Sequence, residues 1–84
     1  MFNNEFINQL DLCRNEQRCY AIEPNNTAPH DVMVHSLQTQ GINFFQCGRH
    51  GLEAEDISII ANLEEGEWWE FPHYTVERIP NDNF

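Results

Sequence analysis

Glu67-Trp68-Trp69-Glu70-Phe71-Pro72-His73-Tyr74-Thr75-Val76-Glu77-Arg78-Ile79 is the stretch on which the fold turns. Two runs rich in aromatic and β-branched residues, 67–71 and 74–79, flank Pro72-His73, which is the composition of an antiparallel pair closed by a tight turn. Side chains alternate along an extended chain, so Trp68 and Trp69 fall on opposite faces of the sheet, interleaved with Glu67 and Glu70. Ile79-Pro80 ends the pattern and leaves a polar tail.

Upstream of this hairpin, Glu64-Glu65-Gly66 breaks a helical pattern over residues 53–63. Ile57, Ile60 and Ala61 share one face there, and Glu53, Glu55 and Asp56 stand in the first turn, where carboxylates complement the helix dipole. A first helix is expected over residues 3–17, because Phe2, Phe6, Leu10 and Cys13 recur at spacings of three and four with Ile7 beside them. Residues 18–23 carry Cys19, Tyr20 and Ile22 and read as a strand ended by Pro24, and Pro24-Asn25-Asn26 is a loop. Thr27 before Ala28-Pro29 has the form of an N-cap, opening a helix with Val32, Met33, Ser36 and Leu37 on one face and closed by Gly41. A strand over Val32-Met33-Val34 paired with 42–46 competes with that helix, which is preferred. Residues 42–47 read as a further strand, and Gly48-Arg49-His50-Gly51 as a turn. The expected architecture is one small α+β domain over residues 1–84, with about three helices packed on one face of a small, mostly antiparallel sheet.

Charge narrows the function classes. The 84 residues hold 14 Asp and Glu against 4 Arg and no Lys, a formal charge of -10. Mean hydropathy is -0.60, which leans toward disorder, but aromatics form 12% of the chain and supply the area for a core. Binding to DNA, RNA or anionic lipid needs clustered cations, whereas Arg14, Arg18, Arg49 and Arg78 are scattered singly. The longest apolar run, residues 57–63, is far below the ~20 residues a bilayer demands. The first residues do not resemble a signal peptide, so a cytoplasmic protein with reduced cysteines is expected.

The acids are concentrated. Residues 53–84 hold 9 Asp and Glu against 1 Arg, while residues 1–52 hold 5 against 3. Glu64 and Glu65 stand at a helix C-terminus, where cations are preferred, so they do nothing evident for local stability. An exposed aromatic among carboxylates suits an interface anchor. Glu64, Glu65, Glu67, Trp68, Trp69, Glu70 and Glu77 are therefore the candidate partner-binding residues. The partner they suit is a basic protein, one that handles nucleic acid or is a nuclease.

Eight acids between residues 53 and 77 approach the phosphates on one face of a duplex about 30 Å long, provided the fold gathers them. In general character the chain is similar to phage-encoded inhibitors of bacterial defence, including anti-CRISPR and anti-restriction DNA mimics, with no motif carrying the similarity. Such a protein would act in the host-cell cytoplasm. An immunity or antitoxin protein neutralising a nuclease toxin is the alternative with the same electrostatics.

Two other chemistries have partial signals. Cys13, Cys19, Cys47 and His50 supply four soft ligands for a zinc-stapled domain, although five residues separate the first pair. Cys47 and His50 form the one conceivable nucleophile pair, with Arg49 its sole nearby cation. No cofactor motif is present: Gly48 and Gly51 are not followed by the lysine a phosphate loop requires. A non-enzymatic binding protein is expected.

Overall fold

The structure, a computed structural model, describes residues 4–81; residues 1–3 and 82–84, including Phe2 of the apolar stripe and the last of the polar tail, lie outside the described residues. In chain order the elements are α1 (Asn4–Asn15), β1 (Cys19–Pro24), α2 (His30–His35), a 3-10 turn (Ile42–Phe44), α3 (Ala54–Ala61), β2 (Trp68–Glu70) and β3 (Tyr74–Ile79). The sheet order is β1-β3-β2 and both pairings are antiparallel. This is the small α+β architecture expected from the sequence.

The hairpin forms as its composition dictates. Phe71 donates its N–H to the Tyr74 carbonyl at 2.8 Å, leaving Pro72-His73 as a two-residue loop. β1 then joins the far side of β3 in the register Tyr20 to Arg78, Ile22 to Val76 and Glu23 to Thr75. Tyr20, Ile22, Tyr74 and Val76 are buried on the helix side and form the sheet's contribution to the core.

The helices supply the rest of that core. Cys13 of α1 and Ile57, Ile60 and Ala61 of α3 are buried as their periodicity predicts, with Phe6 and Leu10 partly buried against them. α3 begins where Asp56 accepts the Glu53 N–H at 2.8 Å, so part of the acidic first turn serves the helix itself. α1 ends in a Schellman turn, with Arg18 N–H bonded to the Cys13 carbonyl and Gln17 N–H to that of Arg14. Gln17 sits at φ 53°, the left-handed position that glycine normally takes.

Three expectations are corrected. Residues 42–47 are not a strand but begin with the 3-10 turn. Phe44 and Phe45 are consecutive and both buried, packed edge to face at 5.3 Å, which strand alternation forbids. The helix near Thr27 is shorter than expected and buries Val32 alone, leaving Met33 and Leu37 exposed rather than on a core face. Thr27 is not its cap. The Thr27 N–H and hydroxyl both donate to Asn25 Oδ1, and that hydroxyl also lies 3.0 Å from the Pro72 carbonyl, tying the 24–27 loop to the β2–β3 turn. The helix reading of this segment nonetheless holds over the strand reading, and no described helix is long and apolar enough to cross a membrane.

A candidate docking face around strand β2

The helices pack against the face of the sheet that carries Tyr20, Ile22, Tyr74 and Val76, and the opposite face exposes Glu23, Glu70, Glu77 and Trp68, with Cys19 its one buried residue among the strands. On that outer face the register sets Ala21, Glu77 and Trp68 in one row across β1, β3 and β2, and Glu23, Thr75 and Glu70 in the next. Strands lie about 4.8 Å apart, so Glu23 and Glu70 flank Thr75 at roughly 10 Å from each other, with Glu77 diagonal to both. Glu70 and Glu77 thus stand next to Trp68, and Glu23 shares their face two strands away from it. Their spacing avoids the directly opposed like charges that destabilise a sheet.

The sequence candidates divide by role. Glu70, Glu77 and Trp68 belong to this face. Glu64 and Glu65 project from the turn that precedes β2, where Gly66 takes φ 87° and its N–H bonds the Arg78 carbonyl. Glu67 is partly structural, since its Oε1 accepts the Glu64 N–H at 2.7 Å and closes that turn. Trp69 pairs with Val76 and so lies on the helix side, yet β2 is at the sheet margin and Trp69 remains 52% exposed, against 59% for Trp68. Alternation therefore separates the two tryptophans as expected, and neither is buried.

Glu23 was not among the candidates. It lies 47 residues from Glu70 and 54 from Glu77, and only pairing β1 against β3 brings it onto their face; alternation within β1, which buries Tyr20 and Ile22, is the available signal. Among the described residues the ion pairs lie elsewhere: Asp11 with Arg14, Glu16 with Arg18, and Asp31 with Arg49 and two histidines. Arg78, the cation nearest in sequence, sends one guanidinium N–H to the Leu63 carbonyl at 3.0 Å. The outer carboxylates are left without a neutralising partner among the described residues.

Two hollows adjoin β2. A groove of about 640 Å³ runs between α3 and β2, lined by Ile59, Asn62, Leu63, Trp68 and Trp69 among others. A smaller, more enclosed hollow of about 350 Å³ lies on the outer face around Ala21, Glu23, Glu70, Thr75 and Glu77, again with Trp68 in its wall. Trp68 stands between an apolar groove and an acidic hollow.

The four residues of the zinc alternative, Cys13, Cys19, Cys47 and His50, are not brought together. Among the described residues no three His, Cys, Asp or Glu side chains gather as a metal site. Cys13 is a buried thiol bonded to the Ala61 carbonyl and approached by the Tyr20 hydroxyl. Burial pushes the Cys19 thiol up, away from the thiolate that zinc requires. Cys47 is exposed, and His50 is engaged by Asp31.

That last contact is a structural tie. His50 Nε2 lies 2.8 Å from Asp31 Oδ2, and Arg49 reaches the same oxygen at 3.4 Å while stacking over Phe44 at 4.6 Å. The His50 hydrogen bond, with help from Arg49, holds the Asp31 carboxyl below its ordinary range. Together they clip α2 to the 48–51 turn, and neither His50 nitrogen is hydrogen-bonded to Cys47. Comparison with protein-family models, with curated proteins and with solved structures finds no match to this chain.

Proposed function

We propose that this chain is a non-enzymatic binding protein that docks the acidic, tryptophan-bearing face around β2 onto a basic, nucleic-acid-handling partner and blocks it. The observation that carries the reading is that Glu23, Glu70, Glu77 and Trp68 line one hollow on the outer face of the sheet, without a neutralising cation among the described residues. Unpaired surface charge of one sign steers a partner of the other sign, and a half-exposed tryptophan supplies contact area once the two meet. The biological setting that suits such a surface is inhibition of bacterial defence by a phage-encoded protein, of the anti-CRISPR or anti-restriction kind.

The scale fits a partial DNA mimic. The molecule is 35 Å in its longest dimension, and a duplex of that length carries about 20 phosphates, roughly ten on one face. Glu23, Glu64, Glu65, Glu70 and Glu77 supply five carboxylates on the sheet and the turn before β2, the equivalent of about 17 Å of duplex, while Glu67 is engaged in closing that turn. Asp56 is engaged at the start of α3 and adds less to this set than its place in the sequence suggests.

The test is affinity capture from the native host, followed by titration of the captured protein between roughly 0.01 and 0.15 M salt. Binding is expected to weaken steeply with salt and to fall about tenfold or more when Glu23, Glu70 and Glu77 are all changed to Gln. A salt-independent complex, or a triple variant that binds as well as the parent, overturns the proposal. Capture of a secreted nuclease toxin instead of a defence complex would assign the same face to an immunity protein.

A further inference from the structure

The two margins of the sheet are covered differently. The free side of β1 is occupied at Tyr20, which exchanges two backbone hydrogen bonds with Gln40 at 2.8 and 2.9 Å. The free side of β2 has no such neighbour among the described residues. Arg78 N–H bonds the Glu67 carbonyl and Phe71 N–H that of Tyr74, so in this antiparallel ladder residues 67, 69 and 71 face β3. The backbone N–H and C=O groups of Trp68 and Glu70 consequently point outward from the sheet margin.

We propose that β2 receives an extended, Arg- or Lys-bearing segment of the partner as a fourth strand of the sheet, hydrogen-bonded to the backbone of Trp68 and Glu70. The inference rests on the docking reading above and deepens it by naming the form of the ligand. A strand added there projects alternate side chains to the two faces. One set lands beside Trp68 and Glu70 on the outer face, with Glu77 one strand further in on the same face, where cationic groups are complementary. The other enters the groove between α3 and β2, lined by Ile59, Leu63 and Trp69, where apolar groups fit. The recognised pattern is a short alternation of cationic and apolar residues, bounded by the Gly66 turn at one end and Pro72 at the other.

Charge also decides against a second copy as occupant. Open strand edges are commonly guarded by lysine, and this chain has no lysine. Its guard is acidic. Pairing two β2 strands would set the Glu70 side chains of both copies on one shared outer face in molecules that each carry a formal charge of -10, whereas a cationic strand converts the same carboxylates from repulsive to attractive. The edge is closed to its own kind and open to a basic chain.

The experiment uses the full chain and three synthetic peptides of roughly eight residues: alternating Arg-Val, the same sequence with N-methyl groups on alternate backbone amides, and alternating Glu-Val. Amide exchange followed by NMR is expected to slow about tenfold or more at Trp68 and Glu70 with Arg-Val, with far less change at Trp69, whose amide already faces Val76. The N-methylated peptide is expected to bind about tenfold more weakly, and Glu-Val not to bind. Equal affinity for the N-methylated and parent peptides overturns strand addition while leaving the salt-dependent docking face intact. Absence of protection at Trp68 and Glu70, or equal binding of Glu-Val, also overturns it. Loss of salt dependence with the captured partner is the separate result that defeats the docking reading itself.

Discussion

β1 and β2 flank the same strand, pair with it in the same antiparallel sense, and meet opposite fates. β1 buries Cys19, Tyr20 and Ile22, while all three residues of β2, two of them tryptophans, are exposed. Side-chain hydrophobicity does not explain the contrast, since β2 is the more aromatic strand. Position does: the β1 edge is closed by Gln40 and its inner face is covered by the helices, whereas β2 ends the sheet beside a groove. Apolar surface left uncovered in this way costs stability that folding does not recover, and it is the ground on which the docking face is proposed.

The largest effect expected from this contrast is in stability. Ile22→Ala, which empties a buried site opposite Val76, should cost about 2–4 kcal/mol in urea unfolding. Trp68→Ala should cost less than about 1 kcal/mol while abolishing much of the partner affinity. A Trp68→Ala loss as large as that of Ile22→Ala would mean that the two strands are equivalent and that β2 is core.

Next in size is the acid limb of stability. The folded Asp31 carboxyl titrates below its unfolded value, so its contribution is fully present above about pH 4 and is lost as pH falls through the folded value. Asp31→Asn should therefore flatten the pH dependence of the unfolding midpoint in that window while sparing the affinity of the β2 face. A variant that unfolds in acid just as the parent does would remove the Asp31 clip as a stabilising element.

Smaller effects sharpen the picture of the buried side. Burial pushes the Tyr74 hydroxyl up to about 12, and that hydroxyl meets no hydrogen-bond partner among the described residues. Tyr74→Phe should be neutral or stabilising by up to about 1 kcal/mol, as read from the denaturation midpoint. Gln17→Gly, at φ 53°, should gain a few tenths to about 1 kcal/mol, because relief of left-handed strain is offset by added freedom in the unfolded chain. A loss of stability would show that the Gln17 side chain, not the backbone turn, holds the end of α1.

Much of this fold was legible residue by residue. The spacing of Phe6, Leu10 and Cys13 placed α1, that of Ile57, Ile60 and Ala61 placed α3, and Pro72-His73 between two β-forming runs placed the hairpin. The misreadings share a cause. Ile42 to Phe45 has strand-like composition, but two adjacent rings are drawn into one core from a tight turn. Thr27 resembles a helix cap, but its hydroxyl finds Asn25 and the β2–β3 turn, contacts that depend on residues 45 positions away. The site was half legible: Glu70, Glu77 and Trp68 could be named from the hairpin alone, and Glu23 could not.

The sequence by itself determined the periodicities, the hairpin and the sign and location of the charge, because each depends on residues within a turn or two of one another. Tertiary structure alone decided which face of the sheet the helices cover, which edge Gln40 closes, and that Glu23 joins the hairpin acids. Those outcomes depend on which strand settles beside which, and that choice is made by burial of Tyr20, Ile22, Tyr74 and Val76 together, a property of the assembled core rather than of any one segment.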